Sequence, residues 1–329
     1  MPELPDVVVY CESIERRIAG ARLEDVRVAS PALLRTVDPA PADLVGRRAT
    51  GVRRMGKRVV LAFEGDVFAV IHLMIAGRFR WKDGRAALPR KLGLASFAFE
   101  PGTLLLTEAG TKRRATLHVV RGEEALAALD PGGLEPLACD LAAFAAALRR
   151  ENHTLKRSLT DPHLLSGIGN AYSDEILHRA RLSPVKWTER LTEGEVERLF
   201  AATRAVLTEW TERLRAEAET KFPEKVTAFR PEMAVHGRHR EPCPDCGDPV
   251  QRIVHASNET NYCARCQTGG KLLADRALSR LLKKDWPRSV EALEARRAAQ
   301  SAGASSSSST SASPSSSTSA RSVPSKGGK

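Results

Sequence analysis

The sequence predicts an α+β protein of several domains: an N-terminal helix with a β-sandwich, an all-helical domain and a zinc-binding β-hairpin with four cysteines. Three observations predict this architecture. Short apolar runs divided by Gly, Pro and charged turns fill the first 120 residues. Helical periodicity replaces them beyond the turn residues at 130–133, and two Cys-x-x-Cys pairs follow. A chain of 329 residues has room for two or three such domains.

The first region, residues 1–120, is predicted to hold one helix and the β-sandwich. Apolar residues recur at helical spacing near its start, and Gly20 follows as a stop signal. These apolar residues are Val7, Cys11, Ile14 and Ile18. Five runs of β-like composition come next: 58–63, 67–75, 94–99, 103–107 and 115–120.

The rest of the chain divides by composition into an interdomain linker (121–138), a helical domain (139–235), a zinc finger (236–268), a basic helical extension (269–299) and a tail (300–329). The segments with helical character in the helical domain are 141–149, 153–160, 171–180 and 193–218. Ser makes up 14 of the last 29 residues, and such a composition cannot bury a core. We therefore predict a disordered tail.

Net charge and hydropathy restrict the function classes. The 51 basic and 40 acidic residues give a net charge of +11, of which +8 belongs to the first 300 residues. A basic folded body favours a polyanionic partner. The most apolar run, Val67–Gly77, has only 11 residues and contains His72, so it is too short to span a bilayer. The N-terminus lacks a basic region followed by an apolar stretch, so we expect a cytoplasmic protein with no membrane partner.

The four paired cysteines have the spacing of a metal site. The pair Cys243 and Cys246 is separated by 16 residues from the pair Cys263 and Cys266, as in structural zinc sites. The intervening segments can form a hairpin, and four sulfur ligands leave no open position for chemistry. Two disulfides are the poorer alternative in a reducing compartment. Such a hairpin on a basic chain predicts nucleic-acid binding, but it would suit a regulator, a ribosomal protein or an enzyme.

The N-terminus carries a possible nucleophile. Removal of Met1 would leave Pro2 with a free secondary amine, which can attack an aldehyde carbon and form an iminium. The amine precedes a helix that begins near Pro5, and the positive end of that helix disfavours the protonated amine. Glu3 supplies an adjacent carboxyl for proton transfer.

Five segments occur in one order along the chain: 2–5 (Pro-Glu-Leu-Pro), 54–57 (Arg-Met-Gly-Lys), 71–73 (Ile-His-Leu), 165–175 (with Gly-Ile-Gly-Asn) and 237–267 (with both cysteine pairs). Together they resemble the formamidopyrimidine-DNA glycosylase/endonuclease VIII family of base-excision repair enzymes, over residues 2–268. The resemblance implies an N-terminal β-sandwich, a helix–two-turns–helix domain and a zinc hairpin.

The resemblance also implies a mechanism. In it, Pro2 attacks the anomeric carbon of the damaged nucleotide, and Glu3 protonates the deoxyribose ring oxygen. Lys57 acts as acid and base in β-elimination and contacts the phosphate next to the lesion. The residues that match the family's other DNA contacts are His72, Lys156 and Asn170.

The glycine-rich segment before the third of the four helical segments suggests a phosphate site by itself. Glycines let a phosphate approach the backbone, and free N–H groups at a helix start bind it, so Gly169 and Asn170 are candidate DNA contacts. Considered alone, the segment would equally suit a plain turn with Asn170 as N-cap. Considered alone, three other candidates would be ordinary solvated or buried side chains: Lys57, His72 and Lys156.

The sequence departs from the family at the hairpin. The family's phosphate-gripping arginine, five residues before the third cysteine, is replaced by Asn258, a DNA-contact candidate without charge. Glu259 beside it is repulsive, and Arg252 or Arg265 are the candidate substitutes. Because the family links this arginine to the second elimination, we expect weak δ-elimination.

Other departures concern the lesion. The loop at 111–115 lacks the family's Phe, and the position of its gap-filling methionine is Ile75, which disfavours 8-oxoguanine opposite cytosine as the substrate. Asp6 replaces a longer Glu. Beyond the family's usual end, five cations are candidates for nonspecific DNA affinity: Lys271, Arg276, Arg280, Lys283 and Lys284.

We therefore predict a monomeric DNA glycosylase with abasic-site lyase activity, which binds DNA containing damaged bases or abasic sites. One structural zinc ion is its only expected cofactor. Two alternatives stay open: a non-catalytic DNA-damage-binding protein and a zinc-ribbon regulator. Substitution of Pro2 separates them, because only the enzyme would lose a covalent adduct with DNA.

Overall fold

A computed structural model describes residues 1–296 apart from 111, 225, 228, 256–257 and 274–286. The side chains of His255 and Asn258 are also outside the description. So are the predicted Ser-rich tail at 300–329 and the central part of the predicted basic helix. Among the described residues, no helix has the length and apolar character needed to cross a membrane.

The N-terminal region pairs one helix with two antiparallel four-stranded sheets. Helix α1 (Leu4–Ile18) comes first, and its end is followed by Gly20 with φ of 74°, which a glycine adopts without strain. Eight strands follow: β1 (Leu23–Val28), β2 (Ala49–Met55), β3 (Arg58–Phe63), β4 (Val67–His72), β5 (Gly77–Asp83), β6 (Gly93–Phe99), β7 (Gly102–Glu108) and β8 (Thr116–Arg121). One sheet has the order β1-β6-β7-β5 and the other β2-β3-β4-β8.

Three of these strands, β1, β2 and β5, are not among the predicted β-like runs. Their burial is irregular or alternating, with charged residues at the exposed positions except for Thr50 in β2. In β5, the buried Phe79 and Trp81 alternate along the strand with the exposed Arg80 and Lys82. The prediction relies on continuous apolar runs, which mark strands buried on both faces and miss strands buried on one.

Seven helices are formed by the described residues up to 268: α1, then α2 (Glu123–Ala127), α3 (Leu141–Arg149), α4 (Leu155–Thr160), α5 (Asn170–Arg179), α6 (Glu193–Glu217) and α7 (Ala264–Thr268). Short 3₁₀ turns occupy 31–33, 41–44 and 188–190. Helices α3 to α6 enclose a core in which Tyr172 meets Trp210 edge to face, with ring centroids 5.9 Å apart.

Helix α1 belongs to both cores. Tyr10, Ile14 and Ile18 are buried against the sandwich, whereas Leu4 packs in the core of the helical region. Val9 contacts Leu214 near the end of α6. Burial on nearly all sides of α1 fixes its first turn relative to both regions, and that turn carries the predicted catalytic residues.

The hairpin consists of β9 (Gln251–His255) and β10 (Asn258–Tyr262), and α7 follows it directly. The described part of the predicted basic helix is helical only in its last residues. Lys271 is extended and pairs with Ser289, and helix is found at 290–296. This segment packs on the hairpin instead of continuing α7, because Gly269 and Gly270 have φ of 64° and 84° and end that helix.

The architecture confirms the predicted fold class. A helix with a β-sandwich, an all-helical region and a cysteine-bearing hairpin follow one another along the chain.

Candidate active site

The carboxylate of Glu3 lies at the start of α5. It accepts hydrogen bonds from the backbone N–H groups of Gly169 (2.7 Å), Ala171 (2.9 Å) and Tyr172 (3.2 Å), and Glu3 is only 2% exposed. A helix start presents unpaired N–H groups and a positive dipole end, which favour an anion. The expectation that these N–H groups are free for a phosphate is therefore wrong: a carboxylate from the N-terminus of the chain occupies them.

Two glycines allow this contact. A Cβ atom on Gly169 would lie 2.5 Å from Cδ of Glu3, and one on Gly167 would lie 2.9 Å from Cβ of Leu4. Gly167 also has φ of 81°, and its carbonyl accepts a hydrogen bond from the N–H of Leu4 (2.9 Å). The glycine-rich segment thus lets the N-terminus approach the helix closely.

A cleft of about 470 Å³ opens beside this contact. It brings together residues from the N-terminus, the β2–β3 turn, helices α4 and α5, and the hairpin; among them are Met1, Lys57, Lys156, Asn170, Ile253 and Thr260. Gly169 also lines it, and Pro2 is buried between Met1 and Glu3. His72 is not in this lining; it ends β4 and pairs with Arg58, next to Lys57.

Burial changes the basicity of two amines at the cleft. It lowers the pKa of the N-terminal ammonium, with Arg78 and Lys57 acting in the same direction and Glu3 opposing. It also lowers the pKa of Lys57, which Glu3 raises and Lys156 lowers further. Both amines therefore hold their protons less tightly than in water, and this suits proton transfer near neutral pH.

Lys156 is held by a buried carboxylate that the sequence did not single out. Its Nζ donates to Asp174 Oδ1 and to the carbonyl of Asn170, both at 2.6 Å. The other oxygen of Asp174 lies 2.8 Å from His236 Nδ1 and accepts from the N–H of Asn261 at 3.1 Å. The Asp174 side chain is fully buried, and it connects α4, α5, the segment before the finger and strand β10.

Two further side chains of α5, those of Asn170 and Glu175, attach this helix to the hairpin and to the segment before the finger. The side-chain amide of Asn170 donates to the carbonyl of Glu259 (2.9 Å). Glu175 accepts from the backbone N–H groups of Ala234 (2.7 Å), Val235 (2.9 Å) and His236 (2.9 Å). The first two turns of α5 therefore hold the N-terminus of the chain on one side and the hairpin on the other.

Asp6 is shorter than the Glu that it replaces, and one of its two carboxylate oxygens reaches a hydrogen-bond donor, whereas Oδ1 is buried with no hydrogen-bond partner among the described residues. Its Oδ2 accepts from the N–H of Glu3 at 3.0 Å, and Arg230 lies 3.6 Å away. Burial raises the pKa of this carboxyl to about 6, although the Glu3 N–H and Arg230 lower it. Arg230 is more than two hundred residues from Asp6 along the chain, so no local sequence pattern predicts this ion pair.

Comparison with known proteins places the chain in a family. Three family models match it: the formamidopyrimidine-DNA glycosylase N-terminal domain at 1–116, the H2TH domain of the same enzyme at 132–220, and a zinc finger found in FPG and IleRS at 240–269. The formamidopyrimidine-DNA glycosylase of Thermus thermophilus is 36% identical over 282 residues, covering 82% of this chain and all of that protein.

The chain belongs to the formamidopyrimidine-DNA glycosylase family. The family resemblance seen in the sequence is thereby confirmed. The glycosylase of Variovorax paradoxus is 33% identical, covering 81% of this chain and all of that protein.

Solved structures agree with this family membership. The crystal structure of the Thermus thermophilus MutM (Fpg) protein has a TM-score of 0.69 and 34% identity, covering 81% of this chain and 98% of that one. A Lactococcus lactis Fpg in complex with abasic-site DNA has a TM-score of 0.72 and 25% identity, covering 81% of this chain and 99% of that one.

The zinc finger of this glycosylase has its four thiols assembled. The Sγ atoms of Cys243, Cys246, Cys263 and Cys266 lie within 4.8 Å of one another, which suits one tetrahedral ion. His178 of α5 lies 3.3 Å from the Cys243 sulfur. The predicted structural zinc is thus confirmed by the family match and by this cluster. Its role is to hold the hairpin, since four thiolates complete its coordination.

Neither candidate substitute for the family's hairpin arginine points freely into the cleft. Arg252 is paired with Glu259 at 3.3 Å, on the strand face opposite to Ile253. Arg265 is paired with Asp248 at 2.8 Å. The side chain of Asn258 itself lies outside the described residues.

Proposed function

We propose that this glycosylase excises a damaged base from DNA and then cuts the strand 3′ to the resulting abasic site by β-elimination, with the amine of Pro2 as nucleophile. The observation that carries the proposal is the buried Glu3 carboxylate, fixed on α5 beside the chain terminus and next to the cleft that Met1 and Lys57 line. Removal of Met1 would leave the Pro2 amine at this position. The Glu3 carboxylate and the Lys57 amine, whose pKa burial lowers, thus lie beside the position where this nucleophile would form.

In the proposed first step, Glu3 takes a proton from the Pro2 ammonium. The freed nitrogen forms a bond to the anomeric carbon, and the bond from that carbon to the base breaks, so the base leaves with the electron pair. The nitrogen then loses its second proton, which the departing base takes up, so the base leaves neutral and the nitrogen regains the lone pair that forms the iminium. Glu3 then passes its proton to the ring oxygen as the sugar opens to the iminium. Three backbone N–H donors hold the Glu3 carboxylate beside the chain terminus, which positions it for this transfer.

In the second step, Lys57 accepts the proton from the carbon next to the iminium, and the bond between the sugar and the 3′ phosphate oxygen breaks. Burial lowers the pKa of this amine, which raises the fraction that is neutral and able to accept a proton. Lys156 has three N–H bonds, of which Asp174 and Asn170 take two. The third is available for a DNA phosphate in the cleft, as is the second N–H of the Asn170 amide, whose first donates to the carbonyl of Glu259. His72 lies beside Lys57 and outside the cleft lining, where it would contact a neighbouring phosphate.

The proposed substrate is DNA in which the damaged nucleotide has left the stack, since Pro2 is too deep to reach a stacked sugar. Ile75 is 58% exposed at the turn after β4, where Met74 has φ of 53°, and it is positioned to fill the gap left by the base. Similar proteins were solved with DNA containing Fapy-dG or an abasic site. We expect the enzyme to act as a monomer in the cytoplasm, and δ-elimination to be weak.

Borohydride trapping tests the chemistry. The purified protein and its Pro2→Gly variant are mixed with a duplex containing one abasic site and reduced. A covalent adduct that requires Pro2 supports the proposal. A zinc-loaded preparation that binds the duplex and gives no adduct would instead identify a DNA-damage-binding protein that does not cut.

A further inference from the structure

Helix α5 contacts the finger along one of its faces. Asn170, Asp174 and His178 follow one another at intervals of four residues, so they lie in a row along the helix. The side chains of Asn170 and Asp174 bond to the backbone of strand β10. His178 ends the row, and it takes no part in the proposed excision of a base.

The imidazole of His178 meets a sulfur of the thiol cluster. Its Nε2 lies 3.3 Å from Sγ of Cys243, and the two residues are only 4% and 2% exposed. A zinc-bound cysteine is a thiolate, which accepts hydrogen bonds and has no proton to donate. The ring proton therefore lies on Nε2, and His178 is the donor of this bond.

The bond to Cys243 comes from outside the finger. The sulfur of Cys263, by contrast, accepts from the N–H of Cys266 at 3.5 Å, which is a bond within the finger. His178 lies 65 residues before Cys243, on the helix whose first N–H groups hold the Glu3 carboxylate. About 12 Å of helix, at about 1.5 Å per residue, separates these two contacts. Helix α5 thus joins the metal site to the proposed catalytic carboxylate.

A second contact holds the end of α5 against the finger. Gln267 of α7 is buried, and its side-chain amide donates to the carbonyl of Leu182 (2.9 Å). Its side-chain oxygen accepts from the N–H of Cys263 (2.8 Å). Because Leu182 follows the last residue of α5 closely, this bridge limits how far His178 can move from the cluster.

A donor beside a metal-bound thiolate changes the behaviour of the sulfur. The hydrogen bond stabilises the negative charge of the thiolate. The sulfur is then slower to take up a proton or to react with an electrophile, and either event begins the loss of the metal. Loss of such a partner of a metal ligand typically lowers metal affinity by about 10- to 100-fold.

We propose that His178 is an outer-sphere residue of the zinc site. Its Nε2–H donates to the Cys243 thiolate, slows the release of zinc and connects the metal to the helix that holds Glu3. The inference does not rest on the proposed base excision, because the thiol cluster, the match to a zinc-finger family model and the position of α5 carry it.

The experiment times the transfer of zinc from the zinc-loaded, full-length protein to a coloured chelator. His178→Phe keeps an aromatic ring and removes the donor, and we expect it to release zinc about tenfold faster or more. His178→Gln places an amide N–H near the position of Nε2 and should recover most of this loss. The matched control is His163→Phe, which replaces an exposed histidine bonded to the carbonyl of Pro131 and should release zinc at the parent rate.

Cobalt(II) in place of zinc reports on the sulfur directly. Loss of the donor raises the energy of the sulfur electrons, so the sulfur-to-cobalt charge-transfer band should move to longer wavelength in His178→Phe. His178→Gln should absorb close to the parent. Should His178→Phe fail to fold, as judged by urea unfolding, His178→Leu replaces it in both measurements.

Three results would overturn the inference. The first is a His178→Phe protein with the zinc release and the cobalt band of the parent. The second is faster release without a band shift, which would give His178 a role in packing alone. The third is a parent cobalt spectrum of three sulfurs and one nitrogen that becomes a four-sulfur spectrum in His178→Phe, because His178 would then be a ligand itself.

Discussion

The two sides of the cleft are built differently. On the N-terminal side, Glu3 is held by three backbone N–H groups of α5, and the first turn of α1 is buried in two cores. On the hairpin side, the strand β10 is held to α5 by single bonds that converge on Asp174 and Asn170, and His178 of α5 contacts the sulfur of Cys243 in the finger. The difference teaches that two cores and several backbone N–H groups hold the proposed chemistry, whereas the hairpin is held through the side chains of a few residues of α5, Asn170, Asp174 and Glu175 among them.

On the N-terminal side of the cleft, we expect the largest loss of base excision from a substitution of Gly169. In Gly169→Ala the added Cβ would meet the Glu3 carboxylate at 2.5 Å and push it off the helix start. We expect base excision to slow by about 10² or more, the range of a lost acid–base group, with zinc content unchanged. Single-turnover kinetics measure this.

Gly194→Ala in α6 is the matched control, since nothing lies within 4 Å of its Cβ position. It should excise at the normal rate. Equal rates for the two variants would contradict the role given to the Glu3 contact.

The hairpin side should be most sensitive at Asp174. Asp174→Asn leaves Lys156 without its buried partner, and breaking such a pair costs about 3 kcal/mol. Urea unfolding measures this loss of free energy. Glu209→Gln, which removes an exposed pair with Arg179, is the control and should cost less than about 1 kcal/mol.

The pH dependence of stability should identify Asp6. Its pKa is raised to about 6 in the fold, so folding favours its protonated form. The stabilisation is fully present below its unfolded pKa, near 4, and is lost as pH rises through about 6. Asp6→Asn should remove this decline and be more stable than the parent above pH 7, by at most about 2–3 kcal/mol. An unchanged pH profile of the unfolding free energy would contradict the assignment.

The smallest effect is expected at the contact between the finger and the segment that follows it. Leu272 and Val290 lie beyond residue 269, the last residue that the zinc-finger family model matches. They pack on Ile253 and Tyr262 of the hairpin. The double variant Leu272→Ala and Val290→Ala should release zinc several-fold faster to a chelator, without changing the unfolding of the sandwich. Release at the parent rate would show that the segment does not support the hairpin.

Much of the fold could be predicted because its signals are local. The helical segments at 141–149 and 193–218 agree with α3 and α6 to within one residue. Strand β5 was missed because its charged outer positions interrupt the apolar run. The segment from Lys271 was predicted to be helical from its composition, but the described part begins extended because it pairs with Ser289.

The candidate site likewise contains residues that the sequence predicts and residues that it does not. Lys57, Lys156, Gly169 and Asn170 were all identified from the sequence, and the cleft brings them together. Asp174, His236 and Arg230 were not identified, because they act through buried contacts between distant parts of the chain, and no spacing rule along the sequence marks such contacts. The signal that could have pointed to Asp174 was its place one turn after Asn170 on the same helix.

The sequence by itself determined the chemistry that depends on neighbours along the chain: four thiols at metal spacing, an amine next to a carboxyl, and glycines before a helix. Only the tertiary structure decided how that chemistry is held. In the folded protein, N–H groups of α5 donate to Glu3, and Arg252 and Arg265 form ion pairs with Glu259 and Asp248. These outcomes depend on which groups meet when the chain packs. Spacing fixes which atoms are near in sequence, and packing decides which of them remain free to bind.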